Sequence, residues 1–155
     1  MINPTTDAVV ANLPVGTSPV GVAVSTTGPD AGDVFVVQSV SGTVPVINPT
    51  NNTEIQSISI GGLLHAVAVS PNGSQVFVTN EFNGSVSVIN TATNTVTGSR
   101  IPVGSDPSGV AVNSTGSEVF VTNEFNGTVS VINTATDTVA ATITVGDVPM
   151  AVAAD

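Results

Sequence analysis

Val76-Phe-Val-Thr-Asn-Glu-Phe-Asn-Gly84 returns unchanged as Val119-Phe-Val-Thr-Asn-Glu-Phe-Asn-Gly127, and this doubled nonapeptide decides the fold. The two copies lie roughly 43 residues apart, in the period range of propeller blades, where each repeat is one supersecondary unit of short strands. Val, Phe and Thr are strand formers, whereas Asn-Gly at the end of each copy supplies a tight turn.

Working outward, a four-part phrase covers nearly the whole chain. Its first part, Gly104 to Val112, is matched by Gly16 to Val24, Gly61 to Val69 and Gly146 to Ala154. Pro107 in this part has counterparts in Pro19 and Pro149, with Leu64 in their place in the remaining copy. The second part, Val119 to Asn123, is echoed by Val76 to Asn80 and more loosely by Val34 to Gln38. The third, Thr128 to Asn133, recurs as Ser85 to Asn90, Thr43 to Asn48, and Ile2-Asn3 alone. The fourth, Thr138 to Gly146, recurs as Ala8 to Gly16, Thr53 to Gly61 and Thr95 to Gly104. Each part is a run of Val, Ile, Thr and Phe bounded by Gly, Pro, Asn or Ser, the pattern of a strand between turns.

Pro71-Asn-Gly73, Ser114-Thr-Gly116, Asn83-Gly84 and Asn126-Gly127 predict tight hairpin turns. No window keeps an apolar face at helical spacing, so the chain reads as all-β. Two length differences are expected to fall between strands: Thr26 to Asp33 is about three residues longer than its counterparts, and one extra residue lies near Ser99-Arg100. Pro45 falls inside a third-part strand and cannot donate to a ladder, which predicts a bulge or an irregular first blade.

Hydrophobic residues make up 41% of the chain and charged residues 8%, the balance of a soluble β-domain carried by apolar and neutral polar side chains. There is no Cys, so disulfides and thiolate metal sites are excluded. The residues after Met1 form neither a secretory apolar segment nor a membrane span. Net charge is −10 because Arg100 is the sole Lys or Arg. A phosphate backbone is bound through several basic contacts, so nucleic acid and anionic membrane surfaces are poor partners.

The phrase Gly-x-x-Pro-x-Gly-Val-Ala-Val, then Val-Phe-Val-Thr-Asn, then Thr-Val-Ser-Val-Ile-Asn-Thr-Ala-Thr resembles the YVTN β-propeller repeat of many surface-layer and other exported proteins. Phe77 and Phe120 stand where that family carries its Tyr, while Val78-Thr79-Asn80 and Val121-Thr122-Asn123 match. The resemblance spans Ile2 to Asp155. It implies four-stranded antiparallel blades, with the Gly-Val-Ala-Val strand innermost and the Thr-Val-Ala-Ala-Thr-Ile strand outermost. It further implies Ala23, Ala68 and Ala111 near the crowded axis, Phe35, Phe77 and Phe120 between blades, and an extracellular or cell-surface location. The family is defined by packing residues and not by a shared active site, so function must be argued from the loops.

A single repeat domain is expected over residues 1–155: an outer strand at 1–16, blades at 17–60, 61–103 and 104–145, and an inner strand at 146–155. About three full blades make a partial propeller, against the roughly four to eight that close a ring. A fragment of a larger propeller, associating with itself through open blade edges, is the expectation.

Candidate chemistry is sparse. Strand alternation places the loops after second and fourth strands at one end, so Glu81, Glu124, Asp106 and Asp147 ring one rim with His65 close by. Oxygen-rich rims can hold Ca²⁺, but no Asp-x-Asp-x-Asp spacing occurs, and no nucleophile, metalloprotease or phosphate-loop motif accompanies the lone His. No catalytic, cofactor or metal residue is therefore assigned. Asp7, Asp30, Asp33, Glu54, Glu118 and Asp137 fall toward the opposite end. Asn51, Asn72, Asn83, Asn113 and Asn126 begin Asn-x-Ser/Thr sequons that double as turns. Three readings stay open: a non-enzymatic surface or interaction module with a protein or glycan partner, a propeller enzyme of lactonase or lyase type with its site at the central channel, and a remnant without independent function.

Overall fold

The structure is a computed structural model that describes residues 1–3, 5–28 and 31–155. Alternating Val, Ile, Thr and Phe build fourteen strands among these residues, and turn glycines separate them. The first blade holds β3 (Pro19–Val24), β4 (Val34–Gln38), β5 (Thr43–Asn48) and β6 (Thr53–Ser59). β7 (Leu64–Val69), β8 (Gln75–Asn80), β9 (Ser85–Asn90) and β10 (Thr95–Pro102) form the second blade, and β11 (Pro107–Val112), β12 (Glu118–Asn123), β13 (Thr128–Asn133) and β14 (Thr138–Thr144) the third. Each is a four-stranded meander with antiparallel neighbours in chain order. β1 (Ile2–Asn3) and β2 (Ala8–Val9) make a separate two-stranded sheet. The architecture is the all-β partial propeller that the repeat implies, and the one helical element among the described residues is a short 3-10 turn at Glu81–Asn83.

Blades stack through apolar faces. Phe35, Val37, Val44 and Val46 of the first blade bury against Val76, Val78 and Ile89 of the second, with Ile58, Ile60 and Leu64 closing the layer. Phe77, Val86 and Val88 on the second blade's other face bury against Val119, Val121 and Ile132 of the third. A strand covered on both faces carries apolar residues at consecutive positions, as Val34 to Val37 of β4 and Val76 to Val78 of β8 do, whereas β9 alternates valine with the buried Ser85 and Ser87. Phe35 and Phe77 are fully buried, as expected. Phe120 is only half-buried, because it points from the third blade's far side, where no fourth sheet lies among the described residues.

The inner strands crowd together: a Cβ on Gly21 would lie 3.2 Å from the His65 carbonyl oxygen, and one on Gly109 would lie 2.9 Å from the Ala151 Cα. Residues 146–155, expected as an inner strand, form no ladder. They dock on β11 through the Ser108 hydroxyl, which donates to the Pro149 carbonyl at 3.1 Å, and on the turn after β11 through the Ser114 amide, which donates to the Asp155 carbonyl at 2.8 Å. An inner strand takes its ladder bonds from the second strand of its own blade, and among the described residues no strand pairs with this segment.

Two local irregularities resolve. The extra residue near Ser99-Arg100 lies within β10 and not between strands, and is taken up by a register shift between Thr97 and Ile101, with Gly98 at φ 64°. Pro45 produces a gap and not a bulge. β5 pairs β4 at Ile47, Val46 and Thr43 in constant register and skips Val44 and Pro45, while Pro45 keeps its partner Ser57 on β6. The missing N–H thus costs the ladder toward β4 alone.

Candidate functional site

The Thr and Asn of the doubled nonapeptide shape the rim end of each blade. The inner strand bulges where it approaches the rim, between Leu64 and Val67 in the second blade and between Pro107 and Val110 in the third. Thr79 Oγ1 accepts the Ala66 amide at 2.8 Å and Thr122 Oγ1 accepts the Gly109 amide at 2.7 Å, replacing the ladder bond lost at the bulge. The first blade shifts register as well, between Pro19 and Gly21, but there Val37 stands at the threonine's position and pairs with Gly21. Asn80 and Asn123 next to the threonines reach the incoming loop from the preceding blade. Asn80 Nδ2 donates to the Gly61 carbonyl at 2.7 Å, and the Gly104 amide donates to Asn123 Oδ1 at 3.0 Å. Gly62 and Gly104 are required by this closeness, since a Cβ on either would fall within 2.6 Å of the asparagine side chain.

Above this clamp the Glu-Phe-Asn-Gly loops stand out into solvent. The Glu81 amide donates to the Leu63 carbonyl at 2.8 Å and the Glu124 amide to the Asp106 carbonyl at 2.9 Å, so each loop is tied to the one entering its blade. The Val103 amide donates to Gly84 and the Val145 amide to Gly127, both at 2.9 Å, which ties it to the outgoing strand too. Backbone anchored on both sides leaves the ring between Glu and Asn with nothing to pack on. Phe82 is 77% exposed and Phe125 80%, and Val40 at the same place in the first blade is 68% exposed.

Two clefts follow from this geometry. The first, about 560 Å³, lies between Glu81, Phe82, Asn83 and the Gly104–Asp106 loop; the second, about 410 Å³, lies between Glu124, Phe125, Gly127 and the Asp147-Val148 pair. Asp106 and Asn126 line both, so the two are contiguous. The Ser105 amide donates to Asn126 Oδ1, which fixes the shared wall. Asp106 adopts φ 53°, a left-handed conformation that Asp tolerates and that turns the loop back at this point. The rim carboxylates expected from sequence therefore share a surface: Glu81 with Asp106, and Asp106 with Glu124 and Asp147. No three acidic or His side chains among the described residues come close enough to hold a metal ion.

His65 is elsewhere. It lines a separate axial cleft of about 270 Å³ with residues of β3, β7, β11 and Met150 to Val152, and no carboxylate shares that lining. Its Nδ1 lies 3.0 Å from the Ser108 carbonyl oxygen, which binds β7 to the inner strand of the next blade. The sequence sets His65 close to the rim acids; it lies on β7 in the axial cleft, with its ring against β11. Asp30 of the opposite-end acids lies outside the described residues. Phe82 and Phe125 are what sequence reasoning missed. Their signal was an aromatic between Glu and Asn-Gly in a turn, where no strand periodicity would bury it.

No family model matches this sequence, and no curated protein matches it. Among solved structures the chain is similar to hydrazine synthase from Kuenenia stuttgartiensis, a β-propeller-containing protein, with a TM-score of 0.79 at 23% identity. The match covers 92% of this chain and 40% of that one, so the chain spans less than half the length of the protein it resembles. At this identity the likeness is one of fold alone, and together with three four-stranded antiparallel sheets it fits a β-propeller.

Proposed function

We propose that the chain is a non-enzymatic propeller module, a structural and interaction scaffold of the cell surface or extracellular space that recognises its partner through the Glu-Phe-Asn-Gly rim. One observation carries this reading: the same exposed ring beside the same carboxylate is presented twice, on loops hydrogen-bonded to a rigid stack. Loops on a rigid scaffold are where recognition residues concentrate, and an exposed aromatic offers a large contact area at low entropic cost. The surface location rests on the resemblance to YVTN repeats. The axial cleft, where a lactonase or lyase would work, is lined by His65 among Val, Ala, Gly, Ser and Met residues, and no carboxylate shares that lining.

Peptide and glycan arrays probed with the wild type and with Phe82→Ala/Phe125→Ala test the proposal. Ligands bound by the wild type and lost in the double variant are the expected result. Arrays showing no ring-dependent ligand, or lactone hydrolysis by the wild type that His65→Ala abolishes, would overturn it.

A further inference from the structure

Phe82 and Phe125 are the most exposed large apolar side chains of the described residues, and they sit in adjoining clefts one blade apart. Exposed rings repeated at one end of a molecule mark an interaction surface, and the charge around them says what fits. Glu81 and Asp106 line the cleft of Phe82; Asp106, Glu124 and Asp147 line that of Phe125. No Arg, Lys or His side chain lines either cleft. Arg100, the chain's sole Lys or Arg, donates Nη2 to the Ile60 carbonyl at 2.9 Å, and His65 lines the axial cleft. A ring face and a carboxylate side by side attract the same ligand, since the negative face of the aromatic quadrupole adds to the carboxylate charge.

We propose that this double cleft binds a cationic polypeptide segment, with one Arg or Lys over Phe82 and a second over Phe125. The carboxylates pair with the cationic heads while the aliphatic stems cover the rings. Asp106, shared by both clefts, links the two subsites, so a segment with two basic residues binds more tightly than two single residues do. This inference rests on the interaction-module reading and gives its partner a chemistry.

The test is titration of a fluorescent oligo-arginine peptide followed by anisotropy, using the whole chain. Phe82→Ala/Phe125→Ala, at two exposed positions, is expected to keep the wild-type circular dichroism and weaken binding about ten-fold, the combined effect of two cation–ring contacts. Glu54→Gln/Asp137→Asn removes two charges at positions outside both clefts and is expected to change affinity less than about two-fold under the same salt. Equal weakening in both variants, or undiminished binding in the ring variant, would overturn the proposal, because bulk negative charge would then be the attraction. A neutral glycan bound in a ring-dependent way, with no ring-dependent binding of the peptide, would overturn the cationic partner and leave the module reading standing. Absence of any ring-dependent ligand would remove both.

Discussion

Residues 76–84 and 119–127 have one sequence and two energetic roles. Phe77 in the first copy is fully buried between the second and third blades, whereas Phe120 in the second copy is half-buried on the third blade's outer side. Asn80 leaves its Oδ1 without a partner, as does nearby Ser87 Oγ, while Asn123 uses both ends of its amide: Oδ1 takes the Gly104 amide, and Nδ2 donates to Thr128 Oγ1 and Ser130 Oγ. The cause is the loop each Asn meets. Gly61 and Gly62 both adopt positive φ and turn a carbonyl toward Asn80; Gly104, followed by Ser105 and Asp106, turns an amide toward Asn123. The loop halves do not differ in this way, since Phe82 and Phe125 are equally exposed. Packing is thus a property of position in the stack, whereas the rim belongs to the repeat itself.

The comparison breaks most sharply at the first aromatic. Phe77→Ala is expected to cost about 3–5 kcal/mol, the range for a fully buried ring, and Phe120→Ala less, about 2–3, as part of that ring reaches solvent. Denaturant midpoints converted with the measured slope check this, and equal losses would show that a neighbour covers Phe120 in solution. Next in size is the hydroxyl staple. Thr79→Val and Thr122→Val each leave a bulge amide without its acceptor, at about 1–3 kcal/mol, and Thr→Ser at either site is expected to restore most of the loss. Stability unchanged in the Val variants would mean that the bulge amides find water.

The asparagines sharpen the comparison further. Asn123→Ala removes three hydrogen bonds and is expected to lower stability by about 1–3 kcal/mol. Asn80→Ala gives up one bond along with an unpartnered oxygen, so its loss should be about 1 kcal/mol or less. Chemical denaturation of the pair reads the difference, and a reversed order would contradict the hydrogen-bond assignment. The smallest effect belongs to the rim: Phe82→Ala and Phe125→Ala should each move stability by no more than about 0.5 kcal/mol, because nothing packs on either ring. A mobility-shift titration with DNA at low salt adds a control on charge, with no saturable binding expected from a chain that has one Arg and no Lys.

The strands, their meander order and the turn glycines were legible because each is set by residues adjacent in sequence. β-branched runs, Asn-Gly turns and a returning Gly-x-x-Pro phrase need no knowledge of the rest of the fold. The purpose of Thr79 and Thr122 was not legible, since a hydroxyl that repairs a bulge on a neighbouring strand looks in sequence like any strand threonine. His65 adjoins the rim loop in sequence, and its part in the axial cleft depends on β3, β11 and residues 150–152, which are far from it along the chain. The clefts were half legible. The carboxylates could be assigned to one end by strand alternation, but Phe82 and Phe125 were overshadowed by the buried aromatics of the same motif, which share their residue type and lie five positions away.

The short turn at Glu81–Asn83 carries a consequence for how the chain assembles. β8 and β12 share the run Val-Phe-Val-Thr-Asn, and β9 and β13 differ in their first six residues by Ser85 against Thr128 alone, so β8 has almost the same affinity for β13 as for its own partner. Contacts cannot tell right from wrong here; chain connectivity must. A hairpin closed by four residues pays far less loop entropy than a pairing that spans a whole blade, and closes sooner. Fidelity of blade assembly therefore depends on the brevity of the turn, and a flexible insertion after Asn83 would trade a uniquely threaded stack for a mixture of exchanged hairpins.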